Sequence, residues 1–157
     1  MLPRPVVPAA ATAGAVLVLA ACAPTVPVTA APYATDPVCA AVVLATPDSL
    51  GDGLDRVATD AQATTAWGEP RDAVVLRCGV EPLGPTTERC ESVTTPNGPT
   101  IDWVIVEDGG DWTFTTYGRE PAVQLRVPGA VAESRSTSFV DALGPAVART
   151  EQLRQCL

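Results

Sequence analysis

The chain contains no histidine and no lysine. Without histidine there is no Ser-His-Asp or Cys-His nucleophilic machinery and no His-ligated zinc site. Without lysine there is no Ser-x-x-Lys acylation centre, no Schiff base and no phosphate-loop lysine. Excess positive charge is missing too: 18 Asp and Glu stand against 10 cations, all arginine. That balance argues against a nucleic-acid partner and against a surface that hugs anionic lipid. No apolar run reaches the ~20 residues of a spanning helix, no Cys-x-x-Cys pair marks a metal clip, and no unit of about 20–50 residues repeats. Neither a metal nor a cofactor is expected, and only carboxylates remain for hydrolytic chemistry.

What is present starts at the N-terminus. Met1–Pro8 carries one cation, Arg4; Ala9–Leu19 is apolar; then comes Leu19-Ala20-Ala21-Cys22. This is the order of a secretory signal, and a small-residue run ending in Cys resembles a bacterial lipobox. The resemblance implies cleavage before Cys22 and diacylglyceryl transfer to its thiol. A spanning helix is the lesser reading, because the apolar run is short and bracketed by Pro8 and Pro24. The expected address is the extracytoplasmic face of the cell membrane, with the membrane as a partner through the lipid. Residues 1–21 are thus assigned to a signal peptide. Residues 22–36, with Pro24, Pro27 and Pro32, are assigned to the lipidated Cys and a Pro/Thr/Ala-rich tether. At ~3.1 Å per residue an extended tether of this kind lifts a domain about 40 Å off the bilayer. A strand docked on the domain is the alternative that Val26 and Val28 allow. Residues 37–157 have the length of one globular domain.

With Cys22 assigned to lipid, Cys39, Cys78, Cys90 and Cys156 remain. Four cysteines in an exported domain point to two disulfides, and sequence allows three pairings. Cys78–Cys90 brackets a short loop, and Cys39 and Cys156 lie near the two ends of the domain. The favoured pairing is therefore 39–156 with 78–90.

Asp36-Pro37 is a good helix start, and the helix stops before Pro47. Residues 47–70, with Gly51, Gly53, Gly68 and Pro70, read as a long loop with a helical turn near 50–57. In 73–80, Val74, Leu76, Cys78 and Val80 alternate with Val75 and Arg77, the period of a strand. Pro96-Asn97-Gly98-Pro99 between β-prone runs signals a hairpin. Turns at 108–111 and 118–121 lead into two further strands, 112–117 and 122–127. After Pro128-Gly129 the chain reads as helical, with a last helix over 146–156 carrying Cys156. The expected fold class is α+β: an antiparallel β-meander covered on one face by N- and C-terminal helices, with two disulfides.

Four blocks suggest a family: Asp36-Pro37-Val38-Cys39, Ala66-Trp67-Gly68-Glu69-Pro70, Val75-Leu76-Arg77-Cys78-Gly79-Val80 and Phe114-Thr115-Thr116-Tyr117-Gly118-Arg119. Together they resemble the actinobacterial "domain of unknown function 3515" family across most of residues 36–156. The resemblance implies an exported or membrane-attached envelope protein. It brings no activity, because the family has none assigned.

Trp67, Arg77, Tyr117 and Arg119 are the candidate binding residues, because aromatic and arginine side chains grip sugars, carboxylates and protein partners. The plainer reading makes Trp67 a plug at the sheet edge and Arg77 a cross-strand partner of an acid. Asp48-Ser49-Leu50-Gly51-Asp52-Gly53 fails as a calcium loop, since Leu50 and Thr59 stand where ligands belong. Glu107–Asp111 reads as a solvated acidic turn. The expectation is a lipid-anchored, non-enzymatic envelope module that binds or scaffolds a protein or glycan. The alternatives are an acid-based hydrolase using two close carboxylates and a carrier with an enclosed apolar cavity.

Overall fold

The structure, a computed structural model, describes residues 24–96 and 98–157. The signal segment 1–21, Cys22 and Asn97 lie outside the described residues. The protein is mostly β, with an eight-stranded mixed sheet, a few short helices and two disulfides.

The strands are β1 (Thr25–Val26), β2 (Arg56–Thr59), β3 (Thr64–Trp67), β4 (Val74–Val80), β5 (Arg89–Thr94), β6 (Thr100–Asp108), β7 (Asp111–Thr116), β8 (Arg119–Glu120), β9 (Ala122–Val127) and β10 (Glu151–Gln152). The helices are α1 (Pro37–Ala45), α2 (Gly129–Ser134) and α3 (Gly144–Val147), with a 3₁₀ segment at Thr137–Leu143. The main sheet runs β1-β2-β3-β4-β9-β7-β6-β5, and β8 pairs with β10 separately. The β1–β2 pair is parallel; the remaining pairs are antiparallel. Among the described residues no helix is long and apolar enough to cross a membrane.

Local chemistry accounts for the best-defined elements. The Asp36 carboxylate accepts from the Val38 N–H at 2.8 Å, and Pro37 sits in the first turn of α1, where its missing N–H costs nothing. In β4 the pleat sends Val74, Leu76 and Cys78 into the core and Val75 and Arg77 to the other face. The core joins these residues to Trp103 and Phe114 from the sheet, Cys39 and Val42 from α1, Leu143 from the 3₁₀ segment and Val147 from α3. The β5–β6 hairpin closes through Thr95, whose N–H donates to Pro99 and whose carbonyl accepts from the Gly98 N–H.

Several expectations are overturned. The loop expected over 47–70 contains the hairpin β2–β3. β3 carries no apolar alternation, because it is buried along its whole length. The helical turn near 50–57 is absent: Gly51, Asp52 and Gly53 all take positive φ, incompatible with a right-handed helix. The helix expected over 146–156 ends at Val147, and the chain runs on through β10 as an extended tail.

Residues 24–36, expected as a free tether, lie against the domain. β1 adds to the sheet edge through β2, Val26 is buried beside Ala66 and Ala73, and Ala31 and Ala34 pack on Val80 and Ala122. The strap is held where the Tyr33 N–H donates to the Gly79 carbonyl at 2.8 Å. Gly79 sits at φ +87°, and a Cβ there would run into the backbone of Tyr33 and Ala34, so only glycine permits this approach. Gly118 serves the C-terminal tail in the same way: its carbonyl accepts from Leu153 and Arg154, and a Cβ would strike the Arg154 carbonyl.

The disulfides also correct the favoured pairing of 39–156 with 78–90. Cys39 on α1 bonds Cys78 on β4, and Cys90 on β5 bonds Cys156 in the tail. Four strand spacings separate β4 from β5, about 19 Å, whereas bonded cysteines need Cα atoms within about 7 Å. Face parity forbids 78–90 as well. Cross-strand pairing carries Arg77 through Gln124, Thr115 and Val104 to Cys90, which places Cys90 on the face opposite Cys78. Cys156 is not on a helix; the extended tail carries it round to Cys90.

Candidate functional site

The four residues singled out in the sequence do not converge. Trp67 is wholly buried, and its Nε1 donates to the Pro47 carbonyl at 2.9 Å. Arg119 is buried as well, donating to the Thr150 carbonyl at 2.9 Å and to Gln152 Oε1 at 3.2 Å. Burial pushes its guanidinium below its ordinary pKa, against the opposing attraction of Asp102. These two side chains hold the fold and the tail, and neither is free to meet a ligand. Arg77 stands on the sheet face away from the main core. It donates to Gln124 Oε1 at 2.5 Å and to the Thr29 carbonyl of the strap at 3.4 Å, so its partner is a neutral amide and not an acid. Tyr117 lines a cavity of about 310 Å³ whose walls include Cys90, Cys156 and Leu157, beneath the tail.

Carboxylates gather near the strap. A cavity of about 250 Å³ is lined by Tyr33, Asp36, Glu81 and Glu120 with Val80 and two prolines. Asp36 is engaged in capping α1. The Tyr33 hydroxyl donates to Glu81 Oε2 at 2.9 Å, and that bond, with the Glu81 charge, raises the phenol above its ordinary pKa. Glu81 and Glu120 are exposed to water, which is not the desolvated setting that makes a carboxyl a general acid near neutral pH. Among the described residues no group of three or more acids, cysteines or histidines could hold a metal ion.

A different groove has the make-up of a recognition site. It lies between the β6–β7 hairpin and the segment joining α2 to the 3₁₀ turn. Two adjoining depressions, about 350 Å³ and 250 Å³, share Arg135 and Ser136. Trp112 and Thr137 line the larger one, with Glu107 and Glu133 also on its wall. Trp112 is half-buried and stacks on buried Phe114 with ring centroids 6.4 Å apart and planes 23° apart. Arg135 donates to the Asp52 carbonyl at 2.7 Å and so ties the loop after β1 and α1 to this wall; its Nε is enclosed without a partner. The ion pairs among the described residues, Arg89–Glu91 and Arg126–Asp111, include neither Glu107 nor Glu133. The two lobes together offer an aromatic wall, four carboxylates (Glu107, Glu133, Asp52 and Asp141), a guanidinium and three hydroxyls.

Sequence reasoning missed this groove. Trp112 reads only as the start of a strand, and residues 135–138 fall in the stretch that reads as helical after Pro128-Gly129. The usable signal was a tryptophan placed directly after the Gly109-Gly110-Asp111 turn, at the rim where a strand leaves the core.

Residues 5–156 match the family model described as "Protein of unknown function (DUF3515)". No curated protein and no solved structure matches the chain.

Proposed function

The chain belongs to the DUF3515 family of proteins of unknown function, and from that premise we propose that it is a lipid-anchored, extracytoplasmic binding module of the cell envelope. The observation that carries this reading is the pair of disulfides, one of them enclosed in the core with both cysteines fully buried. Disulfides form and persist in oxidising compartments. In the chain-entropy description, separations of 39 and 66 residues correspond to about 4 kcal/mol each. Together with Leu19-Ala20-Ala21-Cys22 they fit a protein that is exported and then held by lipid on Cys22.

The docked strap changes the geometry of that anchoring. β1 begins at Thr25, three residues after Cys22, and three extended residues reach at most about 10 Å. On this reading the domain rides against the bilayer surface and is not lifted 40 Å above it. Its net negative charge, −8 for the whole chain and −9 once Arg4 leaves with the signal, keeps that surface from sticking to anionic headgroups, so the acyl chains do the holding.

Binding is favoured over catalysis because three of the four carboxylates that line the groove, Glu107, Glu133 and Asp52, are exposed. Solvated acids accept hydrogen bonds well, and an exposed position is not the enclosed setting in which a carboxyl serves as a proton donor. The acid-based hydrolase is the weaker reading for the same reason. Cys22→Ala is the direct test of the anchor. Detergent phase partitioning should move the protein from the detergent phase to the aqueous phase, and mass spectrometry of the wild type should find a diacylglyceryl thioether on an N-terminal Cys22. A mature wild-type chain that starts downstream of Cys22 without lipid would overturn the anchoring.

A further inference from the structure

We infer that the groove between the β6–β7 hairpin and the α2–3₁₀ segment is a saccharide subsite, built on Trp112 and Arg135, for neutral or amino sugars. The inference deepens the binding-module reading and rests on it only for the cell compartment in which the sugar is met.

Three properties of the groove point to this ligand class. The first is the indole. Trp112 is backed on one side by Phe114, at 6.4 Å and near-parallel, so its ring is fixed while it lines the cavity. A fixed aromatic plate matches the flat C–H face of a pyranose ring and orders no flexible side chain on binding. The second is the polar lining. Glu107 and Glu133 accept hydrogen bonds, Arg135 donates, and Ser136 and Thr137 do both. A polyol presents donors and acceptors in alternation and needs such a mixed set. An apolar ligand would leave these groups unpaired at a cost. The third is charge. Four carboxylates line the two lobes against one guanidinium in a chain of net charge −8, so an acidic sugar or phosphorylated ligand is repelled, while a neutral or amino sugar is not.

The size and rigidity of the groove agree. Its larger lobe, about 350 Å³, is at the lower end of small-molecule sites, and the adjoining lobe of about 250 Å³ extends it along Arg135 and Ser136, the shape a short oligosaccharide requires. The walls are braced from both sides. Arg135 holds the Asp52 carbonyl at 2.7 Å, and Asp111, at the start of β7, accepts from the Gly129 N–H at 2.8 Å and pairs with Arg126.

The chain carries its own reporter. Of the three tryptophans, Trp67 and Trp103 are wholly buried, so collisional quenching by acrylamide reports chiefly on Trp112. The test titrates the full chain, disulfides intact, with β-1,4-linked oligomers of glucose and of N-acetylglucosamine. A polygalacturonate oligomer serves as the acidic control, and an arginine-rich peptide as the protein-like control. The expected result is saturable protection of the exposed indole by a neutral or amino-sugar oligomer and none by polygalacturonate. Titration calorimetry, which does not depend on the indole, should show binding weakened about tenfold in Trp112→Ala, equivalent to about 1.4 kcal/mol. Glu133 is exposed, so Glu133→Gln leaves the fold intact and should weaken binding severalfold. This variant keeps the test valid if Trp112→Ala folds poorly. Absence of protection by every neutral and amino-sugar oligomer overturns the inference. So does binding that survives both substitutions, or protection by the basic peptide alone, which would make the groove a protein-docking site. Detergent partitioning of the same preparation reads the anchor separately, so failure of the subsite and failure of the anchored-module reading are distinguishable.

Discussion

Gly79→Ala should detach the N-terminal strap from the sheet, and the cost can be worked from the geometry. Gly79 and Gly51 have the same φ, +87°, but their surroundings differ. A Cβ at Gly51 meets nothing within 4 Å, whereas at Gly79 it meets the Tyr33 carbonyl group and, at 2.7 Å, the Ala34 nitrogen. Gly51→Ala therefore measures backbone strain alone, about 1–2 kcal/mol for a side chain in the left-handed region. Gly79→Ala adds a clash with backbone atoms, which no rotamer change relieves. Lifting the strap breaks the Tyr33–Gly79 hydrogen bond, a net loss of about 1 kcal/mol. It also exposes the Ala31 and Ala34 methyls that pack on Val80 and Ala122, at about 0.8 kcal/mol each. The sum is about 4 kcal/mol against about 1–2 for the control. Urea unfolding with both disulfides oxidised gives the two stabilities. Hydrogen exchange of the Tyr33 amide reports the strap directly and should lose protection in Gly79→Ala only. Equal destabilisation by the two substitutions, with the Tyr33 amide still protected in both, would refute the reasoning that glycine is required by strap contact and not by φ.

Three other outcomes are expected. A water-soluble phosphine should reduce the part-exposed Cys90–Cys156 bond first, while Cys39–Cys78, with both residues fully enclosed, should resist until the core opens; timed alkylation and peptide mapping give the order. Trp67→Ala should lower stability by about 3–5 kcal/mol, as expected for a large aromatic removed from a packed core, with no change in ligand capture, read from denaturant melts and titration of the same sample. The Gly129 N–H, helped by Arg126 and opposed by partial burial, holds the Asp111 carboxyl below its ordinary pKa; a depressed folded-state value stabilises above the unfolded pKa of ~4 and is lost as pH falls through the folded one, so melting temperatures between about pH 5 and 2 should fall less steeply in Asp111→Asn than in the wild type.

Arg77 and Trp112 show where reading from sequence succeeds and where it stops. The alternation in 73–80 placed Arg77 on the face opposite Val74 and Leu76, and the structure agrees. Its partner, Gln124, comes from β9, 47 residues away, and no local pattern names it. Trp112 shares its period with Phe114, so the pattern puts both rings on one face of the strand. Only the position of the hairpin rim leaves one ring half-exposed and the other enclosed. The hairpin β2–β3 escaped for a related reason: β3 is buried on both faces, which erases the alternation that marks a half-buried strand, and β2 is only four residues long, with Arg56 and Ala58 exposed.

Sequence by itself determined what depends on neighbours within a few residues. Asp36-Pro37 starts α1, the pleat period makes β4 a strand, and the Pro96–Pro99 stretch closes the β5–β6 hairpin. The even count of cysteines in the domain ends in complete pairing. Tertiary structure alone decided which cysteines meet, that the proline-bearing segment 24–36 docks as a strap, that Trp67 and Arg119 are enclosed, and that Trp112 and Arg135 line one groove. The physical reason is range. Caps, turns and pleats are set by dihedral preferences and hydrogen bonds between near neighbours. Disulfide partners and groove walls are set by strand order and face, because a side chain meets another only when register and parity bring both to one side of the sheet.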